Sequence, residues 1–118
     1  MLVVIFEVIP IADGVDEYLA IAERLKNQLK DIPGFISIER FQSLNDSTKI
    51  LSLSFWEHEE AIAHWRNLEA HRLAQARGRN DLFADYRIRV GSILRDYSLA
   101  QHQQAPLDSQ AIHATPSL

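Results

Sequence analysis

The segment Leu2-Val3-Val4-Ile5-Phe6, continued by Val8-Ile9 and broken only by Glu7, is a nearly unbroken, β-branched apolar run that stops at Pro10. A strand with one face in water alternates apolar and polar residues. A run apolar on both parities reads instead as a strand buried on both faces, so both faces need a cover. No basic residue precedes the run, and it meets Glu7 after five apolar positions. That is too short for a membrane span or a secretion signal, and a cytoplasmic protein is expected.

At 118 residues the chain has the size of one domain, and 47% hydrophobic with 24% charged residues is enough for a real core. Sixteen acidic against twelve basic residues give a formal charge of -4, which argues against a phosphate-binding surface for nucleic acid. The absence of cysteine removes disulfides, thiolate nucleophiles and iron-sulfur sites. The four glycines form no phosphate cradle, and no serine nucleophile elbow is present.

After the first strand, Val3 to Ile9, Asp13 is placed to cap a helix. Asp16 and Glu17 lie in its first turn, Tyr18, Ala22, Leu25 and Leu29 at helical spacing, and Lys26 and Lys30 near its end. Pro33-Gly34 stops it. Phe35 to Phe41 reads as a second strand, Asn45-Asp46-Ser47 as a turn and Lys49 to Trp56 as a third strand, which makes a hairpin. In the third strand Leu51, Leu53 and Phe55 share one wholly apolar face. Ile50, Ser52, Ser54 and Trp56 share a mixed one, suited to holding a pocket. Glu59 to about Arg77 is helical, with Ala61, Trp65, Leu68 and Ala76 on its stripe and Gly78 as its stop. Asp85 to Tyr97 is the fourth strand, in which Tyr86, Ile88, Val90 and Leu94 alternate with Arg87, Arg89, Ile93 and Arg95.

The order strand, helix, strand, strand, helix, strand is the split βαβ arrangement of a ferredoxin-like α+β domain, here residues 1–98. Residues 99–118, rich in Gln, Ser, Pro and Ala, read as a loose C-terminal tail or an arm on a partner. Two helices can cover only one face of four strands. Large exposed apolar faces are rare on monomers, so a homodimer is the expected cover for the other.

Against this frame, Pro33-Gly34-Phe35 before the second strand, Leu53-Ser54-Phe55-Trp56 ending the third, Glu59-Glu60-Ala61, His64-Trp65 and Glu69-Ala70-His71 in the second helix, and Tyr86-Arg87-Ile88 in the closing strand resemble the antibiotic biosynthesis monooxygenase (ABM) domains of the dimeric α+β barrel superfamily. The resemblance covers roughly residues 1 to 98. It implies two four-stranded sheets packed face to face between subunits, with each subunit's pocket between its own sheet and helices. Members of that family include cofactor-free monooxygenases of aromatic polyketides and quinol-type substrates, heme-degrading enzymes, a sugar-phosphate isomerase and many proteins without known activity. The heme-degrading pattern fits poorly, because Glu7 stands at its first-strand Asn position and His71 lies closer to Trp65 than that pattern requires. In the cofactor-free oxygenases the residue matching Trp65 is a pocket residue, which makes Trp65 the position carried over.

His64 and His71 are the candidate catalytic residues. Seven residues apart, they fall on one helical row at the edge of the apolar stripe, where an imidazole could take a proton from a phenolic or hydroquinone substrate. The competing reading is a solvated helix flank. Their spacing is too wide for both to reach one metal ion, and no metal is expected. His58, at the strand-helix junction, reads as a capping residue. Trp65 and Trp56 are candidates to stack on an aromatic substrate, with ordinary core packing as the alternative. Arg87, like Arg89 and Arg95, could reach an anionic substrate or pair with Glu7 or Glu39. Glu7, a carboxylate in an apolar strand, is either a pocket acid or that arginine's partner. The expected function is a small cofactor-independent monooxygenase of aromatic or quinol-type metabolites. The alternatives on the same scaffold are a non-catalytic small-molecule binding protein or an isomerase of small phosphorylated carbonyl compounds, the last requiring cationic groups in the pocket.

Overall fold

The structure is a computed structural model that describes residues 1–76 and 82–108, with residues 70–76 described by their backbone alone. Six elements follow one another: β1 (Leu2–Pro10), α1 (Val15–Leu29), β2 (Phe35–Gln42), β3 (Ile50–Trp56), α2 (Glu59–Ala76) and β4 (Phe83–Ser92). The strands form one antiparallel sheet in the order β2-β3-β1-β4, so the apolar β1 takes an interior position, as its composition demands. This is the ferredoxin-like α+β arrangement.

The two helices cover one face. From β1 that face receives Val4, Phe6 and Val8, all buried, and from β3 Ser52, Ser54 and Trp56. The helices close it with Tyr18, Ile21, Ala22, Leu25 and Leu29 of α1 and Ala61, Ile62 and Trp65 of α2. The core divides into two clusters. One gathers Phe6, Val8, Tyr18, Ile21, Leu25, Leu82 and Phe83; the other gathers Val4, Leu29, Ile32, Trp56, Ala61, Ile62 and Trp65. Trp56 is fully buried, stacks edge-on against Phe35 at 5.2 Å between ring centres, and donates from Nε1 to Ser54 Oγ at 2.8 Å. That hydrogen bond satisfies the one polar atom of the indole inside the core.

Two boundaries and the burial of one strand depart from the sequence reading, each for a local reason. Helix α1 is capped at Gly14, with no side-chain cap bond, and not at Asp13. The chain turns there through the Gly14 N to Ile11 O bond at 2.9 Å, and a Cβ on Gly14 would lie 2.7 Å from Ile11 Cγ1, so the turn needs the smallest residue at the helix entrance. Strand β4 ends at Ser92 and does not continue to Tyr97. Its pairing with β1 ends at Leu2 opposite Ser92, with one further bond from Ile93 N to Met1 O at 3.0 Å. Tyr86, Ile88 and Val90 alternate toward the helix side as expected, but they are 44%, 43% and 50% exposed and do not join the core. β4 is an edge strand whose first residue, Phe83, reaches the core against Tyr18 while the rest of its helix-side row lies at the rim.

Two local devices match expectation. Gly34 takes φ +92° at the end of the α1–β2 turn, in the left-handed region that suits glycine. His58 caps α2 by accepting from the Ala61 N–H at 3.3 Å through Nδ1.

Candidate functional site

The site is built where the mixed face of β3 meets the helices. Serine at 52 and 54, between Ile50 and Trp56, leaves side-chain volume unfilled beneath α1 and α2. A cavity opens there, lined by Phe6, Tyr18, Ile21, Ala22, Leu25, Arg40, Ser52, Trp65, Glu69 and Phe83. Its free volume is about 10 Å³, roughly the space of one water molecule. The walls therefore lie close together, and a larger guest has to spread them.

Each wall has a clear origin. Phe6 and Phe83 bring two rings to 5.9 Å of one another, and Tyr18 meets Phe83 edge-on at 5.6 Å. Trp65 is buried and backed by Trp56 at 5.8 Å, which fixes its indole plane. Glu69 lies one helical turn after Trp65 on the same side of α2. Arg40 stands on β2 directly opposite Ser52, so a long cationic side chain runs over the smallest neighbour the strand offers. Arg40 and the Tyr18 phenol line the same cavity, and the Arg40 charge acts on that phenol. Burial pushes the Tyr18 phenol up from its ordinary value against the opposing pull of the Arg40 charge, so the phenol keeps its proton at neutral pH.

The sequence candidates are split between two faces and are not gathered in one site. Trp65 lines the cavity. Trp56 lies behind it as core. His64 is exposed on α2 and is not part of the lining. The side chain of His71 lies outside the described residues. Glu7 and Arg87 stand on the opposite face of the sheet, because position 7 has the opposite parity to Val4, Phe6 and Val8, and Arg87 pairs with it in the ladder. There Glu7 binds Arg89 (3.2 Å) and Lys49 (3.7 Å), beside an open, polar surface groove that includes Arg87. Glu7 is thus the partner of an arginine, the second of the two roles open to it, although that arginine is its diagonal neighbour 89 and not 87. Among the described residues, no group of three or more His, Asp or Glu side chains is placed to hold a metal ion.

The residues not singled out from sequence are Tyr18, Arg40, Ser52 and Glu69. A signal for Arg40 did exist: it is in phase with Ile38, on the parity that the core-facing residues of β2 use.

An α+β sandwich with a narrow cavity between sheet and helices, walled by aromatic rings and a few polar groups, defines a class of small-molecule-binding domains. The family model described as antibiotic biosynthesis monooxygenase matches residues 1–77, and the chain belongs to that family. A jasmonate monooxygenase from Pyricularia oryzae is 43% identical over 93 residues, which is 79% of this chain; the chain spans 43% of that relative's length. Among solved structures, Rv0793 from Mycobacterium tuberculosis superposes with a TM-score of 0.70 at 16% identity, over 82% of this chain and 98% of that one. SnoaB, a cofactor-independent oxygenase from Streptomyces nogalater, superposes at 0.65 with 8% identity, over 80% and 94%. Both solved structures share the fold.

Proposed function

We propose that this domain is a small oxygenase of the cytoplasm that acts on aromatic or quinol-type metabolites without metal or flavin, with the cavity under α1 and α2 as its substrate site. The observation that carries the reading is the cavity itself: Phe6, Phe83 and the braced indole of Trp65 form flat apolar walls, with Glu69 one turn along from Trp65. The name of the Pyricularia relative supports an oxygenation reaction, and that of the Streptomyces neighbour supports one run without a cofactor.

The chemistry balances with no external reductant if the substrate is itself the electron donor. A base removes a proton from the activated C–H or O–H of a hydroquinone-type ring, giving a delocalised anion. That anion passes its electrons to dioxygen and forms a C–O bond as a hydroperoxide. The hydroperoxide then loses water, so that a CH₂ group plus O₂ becomes C=O plus H₂O. Trp65 holds the ring, and the Glu69 carboxylate or the His71 imidazole takes the proton.

Oxygen uptake with a panel of hydroquinones and polycyclic phenols, without added metal or flavin, tests the reading. Trp65→Phe and His71→Ala are both expected to lower turnover by roughly tenfold or more, the size of a lost positioning or proton-transfer contact. No uptake by wild type with any substrate defeats the oxygenase reading in favour of a binding protein. The isomerase alternative asks for a cationic pocket. Among the described lining residues Arg40 is the one cation, too little positive charge for the dianion of a phosphorylated substrate, whereas a monoanion needs only one.

The working form is a homodimer in which a second copy covers the outer face of the sheet. Val3, Ile5, Leu51, Leu53 and Phe55 are half-buried there and Phe41 is exposed, with neither α1 nor α2 on that face.

A further inference from the structure

We infer that Arg40 is the group that recognises the ligand, and that the cavity takes a flat apolar molecule ending in one anionic oxygen group, a carboxylate or a phenolate. The inference rests on the reading of this cavity as the ligand site and adds the charge that its occupant must carry.

The argument starts from the donors. A guanidinium has five N–H groups and no acceptor. The Tyr18 phenol lines the same cavity and feels the Arg40 charge. Arg40 Nε is buried and has no hydrogen-bond partner among the described residues. A buried cationic donor is therefore left without a partner in the cavity lining, and an anionic oxygen is the group that satisfies it best. The rest of the lining is apolar apart from Ser52 and Glu69.

Position gives the second line of argument. Arg40 lines not only this cavity but also the open groove between α1 and β2, where Leu19, Glu23, Lys26 and Glu39 stand. The guanidinium thus marks the boundary between solvent and the ring-lined interior. A ligand can keep its charged end at this wet boundary while its apolar body spreads the walls toward Trp65 and Phe83, so the anion is never fully stripped of water. A ligand anchored this way lies with its ring against the Trp65 and Phe83 walls.

The experiment is calorimetric titration of the full chain at about pH 8.5 with two matched pairs: 2-naphthoate against methyl 2-naphthoate, and 4-nitrophenolate against 4-nitroanisole. At least one anion is expected to bind roughly tenfold or more tightly than its neutral mate, the size of a charge-assisted contact. Which pair shows the preference distinguishes a carboxylate from a phenolate ligand. Arg40→Met is expected to abolish that preference and Arg40→Lys to keep part of it. Thermal melts of both variants verify that they fold, and Arg40→Gln replaces the methionine variant if that one does not. Equal binding of both members in each pair, a preference that survives Arg40→Met in the folded protein, or an absence of any anion binding overturns the inference. Oxygen uptake is read separately. Arg40-dependent anion binding without uptake keeps the inference and defeats the oxygenase reading, whereas uptake indifferent to both ligand charge and Arg40 does the reverse.

Discussion

The two faces of the sheet are cut from the same strands, yet they solve opposite problems. On the helix side β3 presents Ser52, Ser54 and Trp56; on the other side it presents Leu51, Leu53 and Phe55. The face with the polar residues is the buried one, and the wholly apolar face is left half-exposed. Small hydroxyl side chains under the helices leave space for the Trp65 ring and for a cavity, and Trp56 satisfies one hydroxyl through its indole N–H. The large apolar residues of the other face would leave no such space, and they form the smooth surface suited to another sheet. Burial therefore follows what covers a face more than how hydrophobic that face is. Charge divides in the same way: Arg40 is set into the cavity wall, while Glu7, Lys49 and Arg89 pair across the open face.

The sharpest break in this comparison comes from the inner face. Trp56→Ala removes a fully buried ring that backs both Trp65 and Phe35, and it is expected to cost ~3–5 kcal/mol in urea unfolding. A loss below ~1 kcal/mol would mean that the two helices do not depend on this ring. On the outer face Leu53→Glu places a charge among half-exposed apolar neighbours. Its monomer is expected to keep a native circular dichroism spectrum, while sedimentation velocity shows the dimer lost. A Leu53→Glu protein that still sediments as a dimer would remove this face as the contact. The smallest effect belongs to Glu7→Gln. Its ion pairs with Arg89 and Lys49 are about a third or more exposed, so removing them is expected to change stability by no more than ~1 kcal/mol, with the difference shrinking in high salt. A larger, salt-insensitive loss would show that this carboxylate is buried in the assembled protein.

Much of this comparison was legible before any coordinates. The parity of β3 separated Leu51, Leu53 and Phe55 from Ile50, Ser52, Ser54 and Trp56, and the mixed parity was rightly read as the inner, pocket-bearing one. Helical spacing placed Tyr18, Ala22, Leu25 and Leu29 on one stripe, and all four are buried. His58 was legible as a cap because it directly precedes the acidic first turn of α2. Glu7 was less legible. Its parity put it opposite the core residues of β1, but which cation it would meet depended on whether contact ran straight across to Arg87 or diagonally to Arg89. The end of β4 is less legible for a related reason: alternation continues to Arg95, but a strand persists only while a neighbour accepts its hydrogen bonds, and the pairing with β1 ends at Ser92 opposite Leu2.

Sequence by itself determined the element order, the apolar interior strand, the two parities of β3 and the apolar stripe that carries Trp65, because each is a property of residues near one another along the chain. Tertiary structure alone decided that Tyr18 of α1, Arg40 of β2, Ser52 of β3 and Glu69 of α2 share one cavity. Their meeting depends on the pairing of Arg40 with Ser52 and on how two helices settle over the sheet, and neither is written in the spacing of any single element. Periodicity tells which way a side chain faces. Only packing tells what it faces.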